Sequence, residues 1–385
     1  EICACLVGSE MCIRDSGWEI DIDDETYERY NNMTGELKHK IIDSITQNED
    51  EEYCFKLCDG KCPMLDDNGL CEIHKNLGED YLGVVCKQFP RYSEYYGTIK
   101  ESGIGLACEE AARIILSENR PFSMETAACD EEYEPSSEYD SSFALQIFAA
   151  REAVFKILAK ESLSIHEKLI VILDMGSKIQ QCINTDEYDN IKSVVNDYLK
   201  EGIAHTLDET RNLSDSGQFE DISLQQGIRQ ILYPYEEMEV LNPEWEVILK
   251  DIIDSLFEQM SDEEYNILNE EFGTYMVSRA YEYRQLLEYL VFRYFAKSIY
   301  DYDFLGKCQM LVTNFFVIRQ MDIIRWLDNH REYSFKDRMD VVHIFSRQVE
   351  YSEDNIENLY EDFIFDDIFK TDSLIAILWI DSENI

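Results

Sequence analysis

Apolar residues recur at the spacing of amphipathic α-helices through most of the chain from residue 143 onward. Positions three and four apart stack on one side of a helix, so this spacing predicts helices that bury one face in a shared core. Two segments, residues 286–296 and 311–327, are apolar enough to be central helices. The full set of helices predicted from this pattern is 143–160, 164–182, 187–201, 243–260, 276–300, 303–328, 335–350 and 353–369.

Capping residues indicate two helix starts. Pro243 suits the first turn of a helix, and Asn242 before it suits the cap position. Ser261, followed by three acidic residues, is typical of a helix cap followed by acids that favour the positive end of the helix dipole.

The first part of the chain is more irregular. Residues 21–27 predict a strand or turn that leads into a helix, residues 61–63 and 66–69 predict turns, and residues 107–118 predict one helix. We therefore expect a mainly α fold. It divides into a cysteine-rich metal-binding region at 1–128, an acidic linker at 129–142 and a multi-helical domain at 143–385.

The charge balance restricts the possible partners. The chain has 34 Lys and Arg against 80 Asp and Glu, a formal net charge of −46. Such a chain is unsuited to nonspecific binding of nucleic acid, whose phosphates require a basic face, or of an anionic membrane. The charge favours a basic partner segment, such as one that exposes lysine. No apolar run approaches the roughly 18 residues of a membrane span, and no signal peptide is visible, so we expect a cytoplasmic protein.

The cysteines are concentrated near one end. Ten of the twelve precede residue 130, and only Cys182 and Cys308 follow. In a reducing compartment, such clustering indicates metal binding rather than a disulfide scaffold. The ten are Cys3, Cys5, Cys12, Cys54, Cys58, Cys62, Cys71, Cys86, Cys108 and Cys129.

Four of these cysteines form the strongest candidate site. Thiolates are suitable ligands for zinc or for an iron–sulfur cluster, and about four of them must converge from separate turns. Cys62, Cys71, Cys86 and Cys108 could supply them, and we expect their sulfurs to lie within roughly 4–7 Å of one another. The alternative is that some are buried free thiols that pack as small apolar residues. That alternative is the favoured one for Cys182 and Cys308.

Two further cysteines are secondary candidates. Cys54 and Cys58 would share a face if they lay on a helix, and with Cys62 they form a C-x3-C-x3-C pattern. This pattern resembles the C-x3-C-x2-C triplet of radical-SAM enzymes without matching it, and either cysteine could replace one of the four ligands. His74 could be a ligand or a base, but a half-exposed histidine after a turn is the favoured interpretation. The same interpretation applies to His330 and His343.

The segments 62–91 (CPMLDDNGLCEIHKNLGEDYLGVVCKQFPR) and 107–116 (ACEEAARIIL) resemble the core motif of the flagellin lysine-N-methylases. Residues 17–27, which contain GWEIDID and a later TY pair, resemble the N-terminal stretch of that family. Residues 290–295 and 345–355 resemble its C-terminal helices. These matches follow the family's order from about residue 5 to residue 360.

The resemblance implies an enzyme, a protein-lysine N-methyltransferase that transfers methyl groups from S-adenosylmethionine (SAM) to lysines of flagellin. It also implies an iron–sulfur cluster, with zinc as the alternative. The nearest approach to a glycine-rich nucleotide turn is Gly103-Ile104-Gly105, which no suitable helix follows. A cluster with three thiolate ligands would leave one iron free to bind the amino and carboxylate groups of SAM. The resemblance attaches no catalytic base to a particular residue.

Arg91 could bind the carboxylate of SAM, because a guanidinium pairs with a carboxylate through two hydrogen bonds. A structural ion pair with one of the many acids is the favoured alternative for Arg91, and the same choice applies to Arg293 and Arg347. At the level of the whole chain, two alternatives remain. One is a zinc- or iron-binding module with a helical partner-binding domain and no enzymatic activity, and the other is a purely structural zinc in a helical scaffold.

The segment before Gly17 departs from the family pattern, which has several cysteines there. Cys5 keeps the family's distance to Trp18, but residues 9–16 (SEMCIRDS) resemble a translated sequencing adapter. We therefore expect residues 9–16 to be poorly ordered, and Trp18 and Ile20 to be packed normally.

Overall fold

The computed structural model describes residues 20–48, 51–58, 61–128, 140–215 and 222–383. Its strands are short, and all of their pairings are antiparallel. A three-stranded sheet has the order β1-β3-β2, and β4 and β5 form a separate hairpin. The strands are β1 (Ile20–Asp21), β2 (Ile45–Gln47), β3 (Tyr53–Phe55), β4 (Arg91–Tyr96) and β5 (Ile99–Ile104).

Five helices accompany these strands. The first begins after Asp23, whose side chain accepts a hydrogen bond from the backbone N–H of Thr26, so the predicted strand or turn leading into a helix is confirmed. The predicted helix at 107–118 is also confirmed, with slightly shorter bounds. These helices are α1 (Asp24–Asn32), α2 (Glu36–Asp43), α3 (Glu72–Leu77), α4 (Val84–Gln88) and α5 (Glu109–Leu116).

From residue 140 onward the described chain is helical. Helices hold 71% of the residues that the structure describes, which confirms a mainly α fold. The helices are α6 (Ser141–Leu158), α7 (Ile165–Asn184), α8 (Ile191–Asp197), α9 (Ile203–Asp215), α10 (Leu224–Glu236), α11 (Pro243–Ile252), α12 (Asp262–Met276), α13 (Ala280–Tyr294), α14 (Ser298–Asp301), α15 (Phe304–Asp328), α16 (Phe335–Val349), α17 (Glu353–Phe365) and α18 (Thr371–Glu383). Short 3-10 or π turns border several of them, such as Ile253–Glu258 after α11.

The predicted helix starts at two positions are confirmed. The side chain of Asn242 accepts a hydrogen bond from the backbone N–H of Glu244, with Pro243 in the first turn of α11. Ser261 and Glu264 bond reciprocally to each other's backbone N–H groups in a capping box at the start of α12.

Helix α15 is the central element of the main core. It packs against α7, α13, α16 and α11, and nearly all of its residues are buried. This confirms the prediction that residues 311–327 form a central helix. Helices α7 and α15 approach closely at Gly176, where an added Cβ would lie 2.5 Å from Sγ of Cys308.

A second, smaller core lies in the N-terminal part of the chain. It contains Ile20, Ile41 and Phe55, together with Met64 and Ile73. The expectation that Ile20 packs normally is therefore confirmed, whereas Trp18 and residues 9–16 lie outside the described residues.

The β4–β5 hairpin and α5 belong to the main core rather than to this smaller one. Tyr96, Leu106 and Leu116 pack with the helices from α6 onward. The hairpin is also held by an ion pair between Arg151 and Glu101, with Nη1 and Oε2 separated by 2.6 Å. The proposed boundary at residue 128 remains a prediction, and most of the predicted linker, residues 129–139, lies outside the described residues.

Within the described ranges, no helix combines the length and the apolar character that crossing a membrane would require.

Candidate functional site

A compact loop brings Cys62 and Cys71 to its two ends. The backbone of Leu65 pairs with that of Cys71 in an isolated antiparallel bridge. Inside the loop, Oδ1 of Asp66 accepts hydrogen bonds from the backbone N–H groups of Asn68 at 2.9 Å and Leu70 at 3.0 Å. Gly69 has φ of 74°, a conformation that favours glycine. The predicted turn at residues 66–69 is therefore confirmed, and it is the local reason that the two cysteines are neighbours.

Cys86, on the short helix α4, joins these two thiols. All three pack against the small N-terminal core. Burial, with smaller contributions from the charges of Cys62 and Cys71, raises the pKa of the Cys86 thiol to about 12. Burial likewise raises the pKa of Cys62 to about 11, to which Cys71 contributes, and it raises the pKa of Cys71. When no metal ion is bound, burial therefore favours the neutral thiol at each of the three positions.

Cys58 lies next to this group, whereas Cys54 lies in a strand. Cys58 is exposed, its backbone pairs with that of Lys61, and its charge contributes to the raised pKa of Cys62. Cys54 is buried in β3, opposite Asp21 and Thr46 in the sheet. The idea that Cys54 and Cys58 share a helix face is wrong, because strand pairing extends the backbone there.

Cys108 packs in a different cluster. It is fully buried with Ala111, and Phe89 and Ile104 pack against it. Its Sγ accepts a hydrogen bond from the backbone N–H of Ala111 at 3.4 Å, which caps α5. Among the described residues, no three His, Cys, Asp or Glu side chains are arranged to hold a metal ion. The convergence of Cys108 with Cys62, Cys71 and Cys86 therefore remains a prediction.

The interpretation of His74 as a half-exposed histidine agrees with its half-buried position in α3, directly after the loop. Cys308 is fully buried in α15, as expected of a buried free thiol. Cys182 is half-buried and packs against the main core.

The three singled-out arginines differ in their surroundings. Arg293 pairs with Glu350 at 3.2 Å and donates from Nη1 to the hydroxyl of Tyr289 at 3.0 Å, so the structural pair is confirmed for this residue. Arg91, the first residue of β4, is half-buried, and its Nη1 lies 3.4 Å from the carbonyl oxygen of Lys87. Its cofactor role remains a prediction. Arg347 is buried and lines a cleft.

That cleft was not predicted from the sequence as a site. It has a volume of about 460 Å³, and it lies where α5, α11, α15 and α16 meet. Its residues come from four separate elements, so no local motif could have revealed it; of its lining residues, His343 and Arg347 had been singled out individually. The lining residues are Glu109, Glu244, Val247, Ile248, Arg325, Asp340, His343, Ile344 and Arg347.

Comparison with known proteins identifies the family to which most of the helical domain is similar. The family model described as the FliB lysine N-methylase C-terminal domain matches residues 151–377, which is more than half of the chain. The chain belongs to the FliB lysine N-methylase family. The family is one of enzymes, lysine N-methyltransferases, and the resemblance seen in the sequence is confirmed.

Three curated relatives each match only part of this chain. The flagellar biosynthetic protein FliU of Salmonella muenchen is 29% identical over 122 residues, which cover 30% of this chain and 71% of FliU. The lysine-N-methylases of Salmonella typhimurium and Salmonella choleraesuis are each 30% identical over 108 residues. That match covers 26% of this chain and only 27% of each of those two enzymes. No solved structure matches the chain.

Proposed function

We propose that this chain is a cytoplasmic protein-lysine N-methyltransferase that transfers methyl groups from SAM to lysine side chains of flagellin. The observation that carries the proposal is the family match over residues 151–377, which spans most of the helical domain. The names of the relatives, a lysine-N-methylase and a flagellar biosynthetic protein, support the reaction and the substrate.

The charge of the chain suits such a substrate. Methyl transfer to lysine requires a neutral amine that attacks the methyl group on the positively charged sulfur of SAM. A net charge of −46 attracts a lysine-bearing protein segment and speeds its encounter with the enzyme. Screening by salt weakens this attraction, so methylation of flagellin should slow as ionic strength rises.

We also propose that Cys62, Cys71 and Cys86 hold an iron–sulfur cluster, with zinc as the alternative. Support comes from the loop that joins Cys62 to Cys71 and from the packing of Cys62, Cys71 and Cys86 against the same small core. Cys108 remains a candidate for a fourth ligand, and Cys54 or Cys58 could replace one of the four. A cluster bound by three thiolates keeps one iron available to a further ligand.

The metal proposal is tested on full-length protein purified without oxygen. We expect a brown protein with iron and acid-labile sulfide, and the serine variants of Cys62, Cys71 and Cys86 should each lose both. Cys182→Ser is the matched control, because this half-buried thiol lies on α7, and it should keep them. A colourless wild type with stoichiometric zinc would support the alternative metal, and a wild type without bound metal would refute the site.

The methylation proposal is tested separately. Purified protein is incubated with flagellin and SAM, and the lysine-containing peptides are analysed by mass spectrometry. We expect methylated lysines that depend on both SAM and the enzyme. Flagellin that stays unmodified in the presence of folded, metal-loaded protein would refute the activity.

A further inference from the structure

We infer that the C-terminal end of α17 is a docking surface for a basic protein segment that carries an apolar side chain. The surface, here called the acidic–apolar patch, combines an exposed apolar pair with carboxylates from α17 and from the end of α10. The class of partner follows from the patch itself, and only the identity of the partner rests on the proposed function. The patch consists of Tyr233, Glu237, Glu361, Asp362, Ile364, Phe365 and Asp366.

Two adjacent apolar side chains at the end of α17 lie in solvent. Phe365 is 78% exposed and Ile364 is 72% exposed, the highest values for large apolar side chains among the described residues. Tyr233 on α10 is also exposed, and α10 packs against α17. Contiguous exposed apolar surface with a polar rim marks an interaction surface, whereas exposed apolar residues that are scattered singly need no explanation.

Buried neighbours hold this helix end in place. Phe363, directly before the apolar pair, is buried and packs against Phe369, with ring centroids 5.1 Å apart. The side chain of Gln309 on α15 donates hydrogen bonds to the carbonyl oxygens of Phe363 at 3.4 Å and Phe369 at 2.8 Å. The apolar pair is therefore presented by a backbone that is fixed to the core. A partner would meet a preformed surface, which lowers the entropic cost of binding.

Four carboxylates lie around the apolar pair. Glu361 and Asp362 precede Phe365 by four and three residues, the spacing that places side chains on one side of a helix. Asp366 follows Phe365 directly, and Glu237 lies at the end of α10. Partial burial, together with the charges of Asp366, Glu237 and Glu361, raises the pKa of Asp362. The four carboxylates are therefore close enough to repel one another.

No base in the described part of the chain forms an ion pair with any of these four carboxylates. Helix α17 contains no lysine, arginine or histidine. The single base of α10, Arg229, pairs with Glu236 instead. A cation supplied by a partner would therefore relieve the repulsion within the patch without displacing an existing ion pair.

The charge and the apolar pair together select the class of partner. A second copy of this chain would bring the same acids against each other, and the phosphates of a nucleic acid or an anionic membrane would be repelled. The chain's own segments outside the described ranges have Arg14 as their only basic residue. A protein segment with lysines or arginines beside an apolar side chain is complementary in both respects. Under the proposed function, the partner with this chemistry is the lysine-bearing substrate.

The direct test measures binding of a probe peptide to the full-length protein. The probe is a fluorescein-labelled amphipathic helical peptide of lysine and leucine, and binding is followed by fluorescence anisotropy. Phe365→Ser and Ile364→Ser should each weaken binding by about tenfold, because each removes a large apolar side chain that the partner would bury. Glu361→Gln should weaken binding by about two- to fivefold at low salt, and this effect should disappear at high salt.

Helix α12 supplies the matched controls. Ile267 is 50% exposed, and Glu270, three residues later on the same helix, is also exposed. Ile267→Ser and Glu270→Gln should therefore bind the peptide like the wild type. A peptide with serine in place of leucine keeps the charge and should bind only weakly. Thermal melts of all variants should match the wild type, since substitutions at exposed positions change stability by about 0.5 kcal/mol or less.

A kinetic measurement connects the patch to the proposed function. A docking surface contributes equally to binding of the substrate and of the transition state. Phe365→Ser should therefore raise the KM for flagellin by about tenfold and leave kcat unchanged. Ile267→Ser should leave both constants unchanged.

The outcomes separate this inference from the proposed function. If flagellin is not methylated but peptide binding still depends on Phe365, the proposed function fails and the docking surface stands. If flagellin is methylated and both apolar variants bind the peptide like Ile267→Ser, the docking surface is wrong and the proposed function stands. Self-association in light scattering, or capture by phosphatidylglycerol vesicles, that Phe365→Ser abolishes would assign the patch to a second copy or to a membrane, and either result would overturn the inference.

Discussion

Replacing Arg338 by leucine should destabilise the helical domain more than any change to a surface ion pair. Arg338 is 1% exposed. Its Nε lies 3.0 Å from Glu282 and its Nη1 lies 2.6 Å from Asp322. Asp322 also accepts hydrogen bonds from the hydroxyls of Tyr283 and Tyr333, at 2.5 Å each. Arg338→Leu would leave the charges of Glu282 and Asp322 buried without this cation.

The expected loss follows from the partners that remain. Removing one member of a buried ion pair costs about 3–5 kcal/mol. Arg279 continues to pair with Glu282 at 2.7 Å, and the two tyrosines continue to donate to Asp322, so we expect the lower end, about 3 kcal/mol. At about 2–4 °C per kcal/mol, that loss corresponds to a fall of about 6–12 °C in Tm.

The assay is urea unfolding followed by far-ultraviolet circular dichroism. Arg331→Leu is the control, because the pair between Arg331 and Glu271 is exposed and should contribute less than about 1 kcal/mol. Adding Glu282→Gln and Asp322→Asn to Arg338→Leu should recover part of the stability, since it removes the unpaired buried charges. An Arg338→Leu loss as small as that of the control would refute this account of the network.

Three further predictions concern other positions. Gly176→Ala should lower the free energy of unfolding by about 1–3 kcal/mol, because the added methyl group overpacks against Cys308. Adding Cys308→Ala to this variant should restore part of the lost stability. A coupling energy of zero between the two substitutions would contradict the contact. Burial opposes ionisation of Asp381, but the charge of Arg319 together with the charge and hydrogen bond of His166 outweighs it, and the pKa of this carboxyl is held below its usual range. The ionised Asp381 carboxylate therefore contributes to stability above the ordinary carboxyl pKa of about 4, and this contribution is lost as the pH falls through the folded-state pKa. The stability difference between the wild type and Asp381→Asn should accordingly shrink in acid. A constant difference in urea unfolding across pH 2–7, from about two units below to three units above the ordinary pKa, would refute this. Arg91→Lys keeps the positive charge and loses the two-pronged hydrogen bonding of the guanidinium. Titration should show an unchanged affinity for S-adenosylhomocysteine, the demethylated product of SAM, together with a lower Tm. A weaker affinity with an unchanged Tm would instead assign the carboxylate of SAM to Arg91.

A long apolar helix and a clearly capped helix start were accessible from the sequence, but a shorter helix without a polar face was not. Helix α15 and the start of α11 followed from apolar spacing and capping residues. Helix α18 was missed, because its residues 374–379 are all buried and an apolar run without a polar face does not distinguish a helix from a strand. The β4–β5 hairpin was also missed, since its residues mix charges and tyrosines without a clear alternation.

The candidate site was only partly predictable from the sequence, because only some of its contacts are made within one local segment. Turn residues such as Gly69 made the proximity of Cys62 and Cys71 predictable, because a local loop joins them. Cys54 was placed wrongly, since it lies in a strand that pairs with β1 and β2 and not in a helix. The cleft around Arg347 depends on the packing of four elements, and single-sequence spacing carries no information about such packing.

The most direct test of the central claim is co-expression of flagellin with this chain in a host that lacks a flagellin methylase. Mass spectrometry of the purified flagellin would then map its lysines, with flagellin expressed alone as the control. The account predicts methyl groups on surface lysines of flagellin only when the chain is present. Flagellin whose lysines remain unmodified, although the co-expressed chain is folded and abundant, would contradict it.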